Sequence, residues 1–337
     1  MSGRSVLLTC AGQRVDIAGA FRAALDELGF SGDVVCVDAH PLSPTLFTAD
    51  AGRAVPTIRS GAYVPALLEL VEEHGVFAVL PLTDLDNTEL AGARGALAAA
   101  GATLFLPEEP VVSRLFDKYA AHRLLGERGI GSPDTWLPAE LPENPRFPML
   151  VKQRWGYASR NIYRCDSEEE LRFFLRYARE PVMAQQLCEG EEFSIDVLCD
   201  LEGRALNVIP RTMIESKGGE SIKGMTIADG RLIEYGRFVA ERLALRGPAT
   251  IQCFEEDEQF LVTDVNTRFG GAFPLPLAAG SRYPELILRL AAGERVEPHV
   301  GRFRAGVVMT RFYDAITLDE APQGSRELSL RGASLPA

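Results

Sequence analysis

The segment VTDVNTRFGG, late in the chain, carries a carboxylate, an amide and a guanidinium at alternate positions. Asp264, Asn266 and Arg268 alternate there, so in a β-strand all three lie on one face. Mg²⁺ prefers hard oxygen ligands from one or two carboxylates together with phosphate oxygens. A guanidinium stabilises charge on a transferring phosphoryl or acyl group. The triplet therefore predicts a metal–phosphate surface; the alternative is a polar edge strand.

Gln252 lies on the preceding strand candidate, twelve residues before Asp264. Directly opposite residues of an antiparallel pair share a face, and their numbers add to a constant. Gln252 and Asp264 therefore share a face only when that constant is even. A loop of three or five residues gives this register, and so does a bulge. We predict an odd-length loop or a bulge near Glu255 to Glu258, with Gln252, Asp264 and Asn266 as the metal ligands.

Two lysines have phosphate-binding potential. Lys152 ends the apolar run FPMLVK, where a free charge is expensive to bury. Lys118 opens a predicted helix over Lys118 to Arg128. An ammonium group is a compact point charge that suits a phosphate cluster, although a single exposed helix lysine is more often only a solvated side chain.

A basic, glycine-containing stretch, PRTMIESKGGESIKGM, lies between the lysines and the metal triplet. Arg211 follows a strand candidate directly and is the best placed to contact a substrate. For Lys217 and Lys223 a solvated loop is an equal alternative.

The elements that would position these residues fall into two patterns. In the first hundred residues, apolar strands alternate with amphipathic helices, which predicts a parallel sheet covered on both faces. The strands are Val6 to Thr9, Val34 to Val37, Val76 to Leu80 and Thr103 to Leu106, and the helices include Tyr63 to His74 and Thr88 to Ala100.

This first region is Rossmann-like but lacks the dinucleotide fingerprint. Only Gly12 follows the first strand where GxGxxG needs two more glycines, so NAD binding is disfavoured. Asp84, Asp86 and Asn87 follow the third strand candidate, and a helix N-terminus explains them better than a substrate contact.

From Asp117 onward, hairpin-like strands dominate and predict α+β lobes. The strand candidates are Met149 to Gln153, Asn161 to Arg164, Val182 to Gln186, Glu192 to Asp200, Ala205 to Pro210, Thr250 to Phe254 and Phe260 to Asn266. Helices are expected over Glu168 to Tyr177, Leu232 to Leu243 and Pro284 to Ala292.

Composition narrows the class of protein. The formal net charge of −12 disfavours a nucleic-acid partner, since phosphate backbones require clustered Lys and Arg. The six cysteines include no CxxC pair, so we expect buried thiols rather than zinc ligands or disulfides. No apolar stretch is long enough to span a bilayer, so the default expectation is a cytoplasmic protein without a membrane partner.

Four segments, in this order, resemble the ATP-grasp superfamily, and most closely the small proteins related to the large subunit of carbamoyl-phosphate synthase. They are FDKYAAHRLLGERGI, FPMLVKQRWGYASRNIY, VMAQQLCEGEEFSIDVL and ATIQCFEEDEQFLVTDVNTRFGG. The resemblance runs from about Val6 to Tyr313. Each segment alone is a weak signal, whereas the four segments in this order are a fairly specific one.

The resemblance implies ATP and Mg²⁺ (or Mn²⁺) as cofactors, and it implies a role for each matching residue. Lys118 and Lys152 would bind the phosphates, under a loop over Arg154 to Asn161 that contains Ser159. Glu192 would accept hydrogen bonds from the ribose. The adenine hinge would be formed by four consecutive residues, Gln185, Gln186, Leu187 and Cys188.

The same resemblance makes Arg268, Arg211 and Lys217 the catalytic set and Gln252 the ligand of a second metal ion. This chain departs from the family pattern at four places. Asp264 replaces a Glu, Gln186 stands where many relatives have Glu, NTRFGG replaces NPRFGG, and the phosphate loop has only one glycine, Gly156.

The implied architecture is a Rossmann-like domain over 1–112, a lid lobe over 113–180, a nucleotide- and metal-binding lobe over 181–318 and a polar tail over 319–337. The implied activity joins a small-molecule carboxylate to an amine through an acyl phosphate, with a homodimer as the assembly that the family allows. A nucleotide-binding module without turnover and a phosphotransferase are the alternatives.

Overall fold

The computed structural model describes residues 4–155, 161–217 and 220–319; the side chains of Lys217 and Glu220 are not described. Contacts divide the chain into two compact units. The first contains residues 1–106, 282–296 and the segment from 312 onward, and the second contains residues 107–281 and 297–311.

The first unit is built on a parallel sheet of strand order β3-β2-β1-β4-β5. Its strands are β1 (Ser5–Thr9), β2 (Val34–Asp38), β3 (Ala51–Ala54), β4 (Val76–Pro81) and β5 (Thr103–Leu104). Its helices are α1 (Val15–Glu27), α2 (Thr45–Thr48), α3 (Tyr63–His74), α4 (Asn87–Gly92), α5 (Arg94–Ala99) and α11 (Tyr283–Ala291).

The expected covered parallel sheet is confirmed. β1 and β2 are almost entirely buried, because helices cover both of their faces. Two details of the prediction were wrong. The helix expected over Thr88 to Ala100 breaks at Ala93 into α4 and α5, and the short, mostly exposed edge strand β3 was missed.

The second unit begins with two helices and a small antiparallel sheet of order β6-β9-β7-β8. The elements are α6 (Glu109–Phe116), α7 (Lys118–Glu127), β6 (Thr135–Trp136), β7 (Met149–Gln153), β8 (Tyr163–Cys165), α8 (Glu168–Tyr177) and β9 (Val182–Gln186). Met149 and Val151 pack with Leu171 of α8 in a common core. Lys152 therefore lies on the opposite face of β7.

The larger sheet of the second unit has the order β14-β13-β10-β11-β12-β15 and is antiparallel. Its strands are β10 (Glu191–Cys199), β11 (Ala205–Lys217), β12 (Glu220–Thr226), β13 (Gly247–Glu256), β14 (Gln259–Asn266) and β15 (Val308–Thr310); helices α9 (Gly230–Arg242) and α10 (Pro274–Ala278) complete the unit. The basic stretch after Arg211 is therefore mostly a strand pair, β11 and β12, rather than the loop that was the alternative for its lysines.

One face of this sheet forms the main core. Ile195, Ile251 and Val265 are buried there together with residues of α7 and α9. Because strand side chains alternate, the neighbours of these residues in sequence lie on the opposite face. That opposite face carries the polar residues of interest.

The cysteines agree with the expectation of buried thiols. All six cysteines are free thiols, and all but Cys10 are buried. Within the described ranges, no helix combines the length and the apolar character needed to cross a membrane.

Candidate nucleotide and metal site

A row of polar residues crosses the larger sheet on the face opposite the core. Asp264 pairs with Gln252, Gln252 with Ser194, and Ser194 with Arg211. Directly paired residues share a face in an antiparallel sheet, so the four side chains are aligned. Neighbouring strands lie roughly 4.8 Å apart, so the row places Asp264 at one side of the surface and Arg211 three strands away.

The register that aligns Asp264 with Gln252 comes from a bulge, but at a different place from the one predicted. The turn between β13 and β14 contains two residues, Asp257 and Glu258, both with positive φ, and Glu256 pairs with Gln259. An odd-length loop was therefore a wrong expectation. The pairing shifts instead between Gln252 and Cys253.

Thr263 is the extra residue of this bulge. Cys253 pairs with Val262 and Gln252 with Asp264, which leaves Thr263 unpaired in the ladder. The bulge puts Val262 in the core and Asp264 on the polar face, although the two are separated by only one residue. Asn266, paired with Thr250, follows on the same polar face.

Lys118 and Asp264 form a direct ion pair. The Lys118 Nζ donates to the Asp264 carboxylate at 2.7 Å, and the two side chains are 18% and 24% exposed. Burial raises the pKa of Asp264, but Lys118, Lys152 and Arg268 outweigh it and hold that pKa below its ordinary value. Asp264 is therefore an anion surrounded by cations.

Lys152 completes this group of charges from the small sheet. It pairs with Met183 in β9 and is only 8% exposed. Burial and the nearby Lys118 charge lower the pKa of Lys152 to about 8, against the opposing influence of Asp264. A partly desolvated ammonium of this kind gains a large interaction from an incoming phosphate.

The expected adenine hinge comprises the last two residues of β9, Gln185 and Gln186, and the two residues after it. Gln186 donates its amide nitrogen to the Pro148 carbonyl at 2.8 Å, which leaves its amide oxygen as the acceptor for an adenine amino group. The Leu187 N–H also donates to the Pro148 carbonyl, at 3.2 Å, and is thereby committed to the protein. Gln185 is buried and donates to the Thr135 hydroxyl at 2.8 Å, which commits one of its amide protons to the protein.

Two further expected ligand contacts occupy the ends of this region. Cys188 is buried, and burial raises the pKa of its thiol to about 12, which makes it an inert wall of the hinge. Glu192 begins the polar row of β10, opposite Phe254. Burial raises the pKa of Glu192, while Arg211 opposes that rise.

Arg211 is held more firmly than the sequence indicated. Its Nε donates to Asp196 at 2.8 Å, and the Thr250 hydroxyl donates to the other Asp196 oxygen at 2.8 Å. Arg211 is 3% exposed, and its Nη1 has no hydrogen-bond partner among the described residues. A Cβ added to Gly270 would lie 2.6 Å from both Asp196 Oδ1 and Thr250 Oγ1, so only glycine fits there.

Not every expected residue can be placed. Ser159 lies outside the described residues, and so does the side chain of Lys217, which ends β11. Arg268 follows β14, donates to its neighbour's carbonyl and is close enough to Asp264 to lower the pKa of that carboxyl. The structure thus groups Lys118, Lys152, Arg268 and Asp264, and it places Arg211 apart from them.

The donor set around Asp264 fits a hard divalent cation. Among the described residues, no group of three His, Cys, Asp or Glu side chains is placed to hold a metal. The available donors are one carboxylate and the amide oxygens of Gln252 and Asn266, a set that suits Mg²⁺ when phosphate oxygens complete the shell. The Lys118 ammonium already pairs with the Asp264 carboxylate, as a metal cation would.

Comparison with known proteins agrees with this geometry. One family model, described as the N-terminal domain of PylC-like proteins, matches residues 6–105. A second, described as ATP-grasp in the biosynthetic pathway with Ter operon, matches residues 178–314. Together they cover the parallel sheet and the larger antiparallel sheet.

Individual relatives match parts of the chain. The carbamoyl phosphate synthase large chain of Clostridium botulinum (strain Alaska E43 / Type E3) is 27% identical over 163 residues, which are 44% of this chain and 15% of that protein. The D-alanine–D-alanine ligase of Petrotoga mobilis is 25% identical over 195 residues, 51% of this chain and 65% of the ligase. The chain thus spans a small fraction of the synthase.

The fold also matches a solved structure. The biotin carboxylase of Campylobacter jejuni, solved as a complex with an ATP analogue, superposes with a TM-score of 0.71 at 16% identity over 90% of this chain and 74% of that one. The two family models, the relatives and the fold agree with each other. The chain therefore contains an ATP-grasp domain, matched over residues 178–314, preceded by a PylC-like N-terminal domain, matched over residues 6–105.

Proposed function

We propose that the chain is an ATP-dependent ligase that joins a small carboxylate to an amine through an acyl phosphate. The observation that carries the proposal is the cation group around Asp264. Lys118, Lys152 and Arg268 surround one carboxylate, on a face that also presents Gln252 and Asn266. Among the described residues, Lys118 and Lys152 both lie close enough to Asp264 to share its single carboxylate, and a triphosphate would neutralise the remaining charge.

The chemistry follows from the poor reactivity of carboxylates. An amine cannot displace oxide, so the γ-phosphoryl of ATP is first transferred to a carboxylate oxygen. The β–γ phosphoanhydride bond breaks, ADP leaves and an acyl phosphate forms. The amine nitrogen then attacks the acyl carbon, phosphate leaves with the C–O bond electrons, and the amine gives up a proton.

The residues of this chain contribute alignment and charge. Lys118 and Lys152 hold the phosphates, and Arg268 stabilises the charge on the group in transfer. Mg²⁺ bound at Asp264, Asn266 and Gln252 would neutralise phosphate charge. Arg211, three strands from Asp264, suits the carboxylate of a substrate better than the nucleotide.

We assign the domain roles accordingly, with residues 1–112 as the pre-ATP-grasp domain, 113–180 as the lid lobe, 181–318 as the nucleotide and metal lobe, and 319–337 as the tail. The direct test is a screen of carboxylic acids and amino acids for acceptor-dependent ADP release, with mass detection of the product. A condensation product with loss of water supports the ligase. A stable phosphorylated product identifies a phosphotransferase, and ATP binding without turnover in any mixture contradicts the proposal.

A further inference from the structure

Asp117 and Arg154 join the two elements that carry the phosphate-binding lysines. Asp117 immediately precedes Lys118 at the start of α7, and Arg154 lies two residues after Lys152 at the end of β7. Arg154 Nε donates to Asp117 Oδ1 at 3.1 Å, and Arg154 Nη2 donates to Asp117 Oδ2. This is a two-pronged arginine–carboxylate pair, the geometry that gives such pairs directional strength.

Backbone contacts reinforce the same junction. The Lys118 N–H donates to the Arg154 carbonyl at 2.9 Å, and the Arg154 N–H donates to the Pro181 carbonyl at 3.0 Å. Asp117 also caps α7 by accepting from the Tyr119 and Ala120 amides at 3.0 and 3.3 Å. The Arg154 guanidinium lies over the Trp155 ring, 4.5 Å from its centroid. The resemblance placed Arg154 at the start of the phosphate loop, and the structure holds this residue by contacts from several directions.

We propose that Asp117 and Arg154 are positioning residues that fix the spacing between Lys118 and Lys152 for the phosphates of ATP, an inference that rests on the proposed function. Lysine side chains are long and flexible, and these two repel each other, since the Lys118 charge lowers the pKa of Lys152. Their backbones are held at a set separation because the Asp117–Arg154 pair ties the helix start to the strand end. Neither residue contacts the nucleotide in this proposal.

The test separates binding of phosphates from binding of the base. Asp117→Asn keeps a good helix cap, because Asn caps as well as Asp, but removes the charge that Arg154 needs. Calorimetric titrations should show ATP binding weakened about tenfold, a loss typical of misplaced binding groups. Adenosine, which has no phosphate, should bind within about twofold of wild type. A generally destabilised protein would lose both ligands together.

A matched control exists on the same helix. Arg114 and Glu127 form another two-pronged pair, at 2.7 and 2.8 Å, between α6 and the far end of α7. Glu127→Gln should leave ATP affinity unchanged. In a double-mutant cycle, Asp117→Asn combined with Arg154→Gln should bind ATP no more weakly than the weaker single variant, because the two residues act as one unit.

The outcomes distinguish this inference from the proposed function. A wild-type chain that fails to bind ATP overturns both. A wild-type chain that binds ATP, with Asp117→Asn binding it equally well, overturns only the positioning role. Equal losses of ATP and adenosine in Asp117→Asn, or strictly additive losses in the cycle, also overturn it.

Discussion

At the scale of single residues, the candidate site is an electrostatic arrangement prepared for an anion. Lys152 is almost fully buried and forms no ion pair within the described part of the chain, and Lys118 is paired with the carboxylate that the metal would need. In the ligand-free protein, the buried charge of Lys152 destabilises the fold, and Lys118 competes with a metal ion for the Asp264 carboxylate. Each makes a measurable prediction.

Lys152→Met should stabilise the ligand-free protein and weaken ATP binding. The pKa of Lys152 is lowered from 10.5 to about 8 in the folded state. The buried charge therefore destabilises the fold below pH 8, by on the order of 3 kcal/mol at most. As the pH rises from about 8 to 10.5, this destabilisation falls gradually to zero, because the folded protein has released the proton while the unfolded chain still holds it. Melting temperatures at pH 7 and pH 10 should show a gain for Lys152→Met that is larger at pH 7.

ATP should raise the pKa of Lys152 again, because phosphates favour the charged ammonium. Binding near pH 8 should therefore take up protons, and ATP affinity should fall as the pH rises above about 8. Calorimetry in buffers of different ionisation enthalpy measures the proton uptake. Equal proton counts for wild type and Lys152→Met would remove Lys152 from the phosphate site.

Lys118→Met should have opposite effects on metal and nucleotide. Removing the ammonium frees the Asp264 carboxylate, so Mn²⁺ without ATP should bind about tenfold more tightly, the value of one charge-assisted hydrogen bond. ATP should bind more weakly because a phosphate contact is lost. Electron paramagnetic resonance titration of free Mn²⁺ gives the first quantity. Lys223→Met, which removes the exposed lysine paired with Glu215, should change neither; unchanged Mn²⁺ affinity in Lys118→Met would contradict the pairing.

At the scale of elements, the bulge at Thr263 decides whether β14 can serve both the core and the site. Val262 and Val265 both pack in the core, yet they are three residues apart and would face opposite ways in a regular strand. The extra residue between them turns both valines towards the core. The spacing of these two core valines is itself a sequence signal for a bulge at Thr263. Loop length alone does not reveal the bulge.

Deleting Thr263 should therefore be tolerated, because the remaining pairs Cys253–Val262 and Gln252–Asp264 become consecutive in a regular ladder. We expect Mn²⁺ affinity in the presence of ATP to stay within about threefold of wild type, with a stability change within the common 0.5–3 kcal/mol range. Deleting Val265 instead should move Asn266 to the core face and abolish metal binding. Loss of binding in the Thr263 deletion would show that the bulge itself shapes the site.

At the scale of the whole molecule, all the proposed nucleotide contacts lie in the second compact unit, within residues 118–268. Ligand binding stabilises the regions that contact the ligand. Hydrogen exchange with MgATP should therefore slow in β7, β9, β13 and β14 and stay unchanged in the parallel sheet of residues 6–105. Equal protection of both units would place nucleotide contacts in the first unit as well.

The sequence by itself determined the class of fold and the polar face that carries the candidate site. Alternating apolar runs and helices predicted the parallel sheet, and the strand parity of Asp264 and Asn266 predicted one polar face, because both depend only on local periodicity. The Asp264–Lys118 pair, the Arg211–Asp196–Thr250 cluster and the Asp117–Arg154 junction join residues far apart in the chain. Only the tertiary structure decided these contacts, because the strand order determines which distant side chains meet, and no local pattern encodes the strand order.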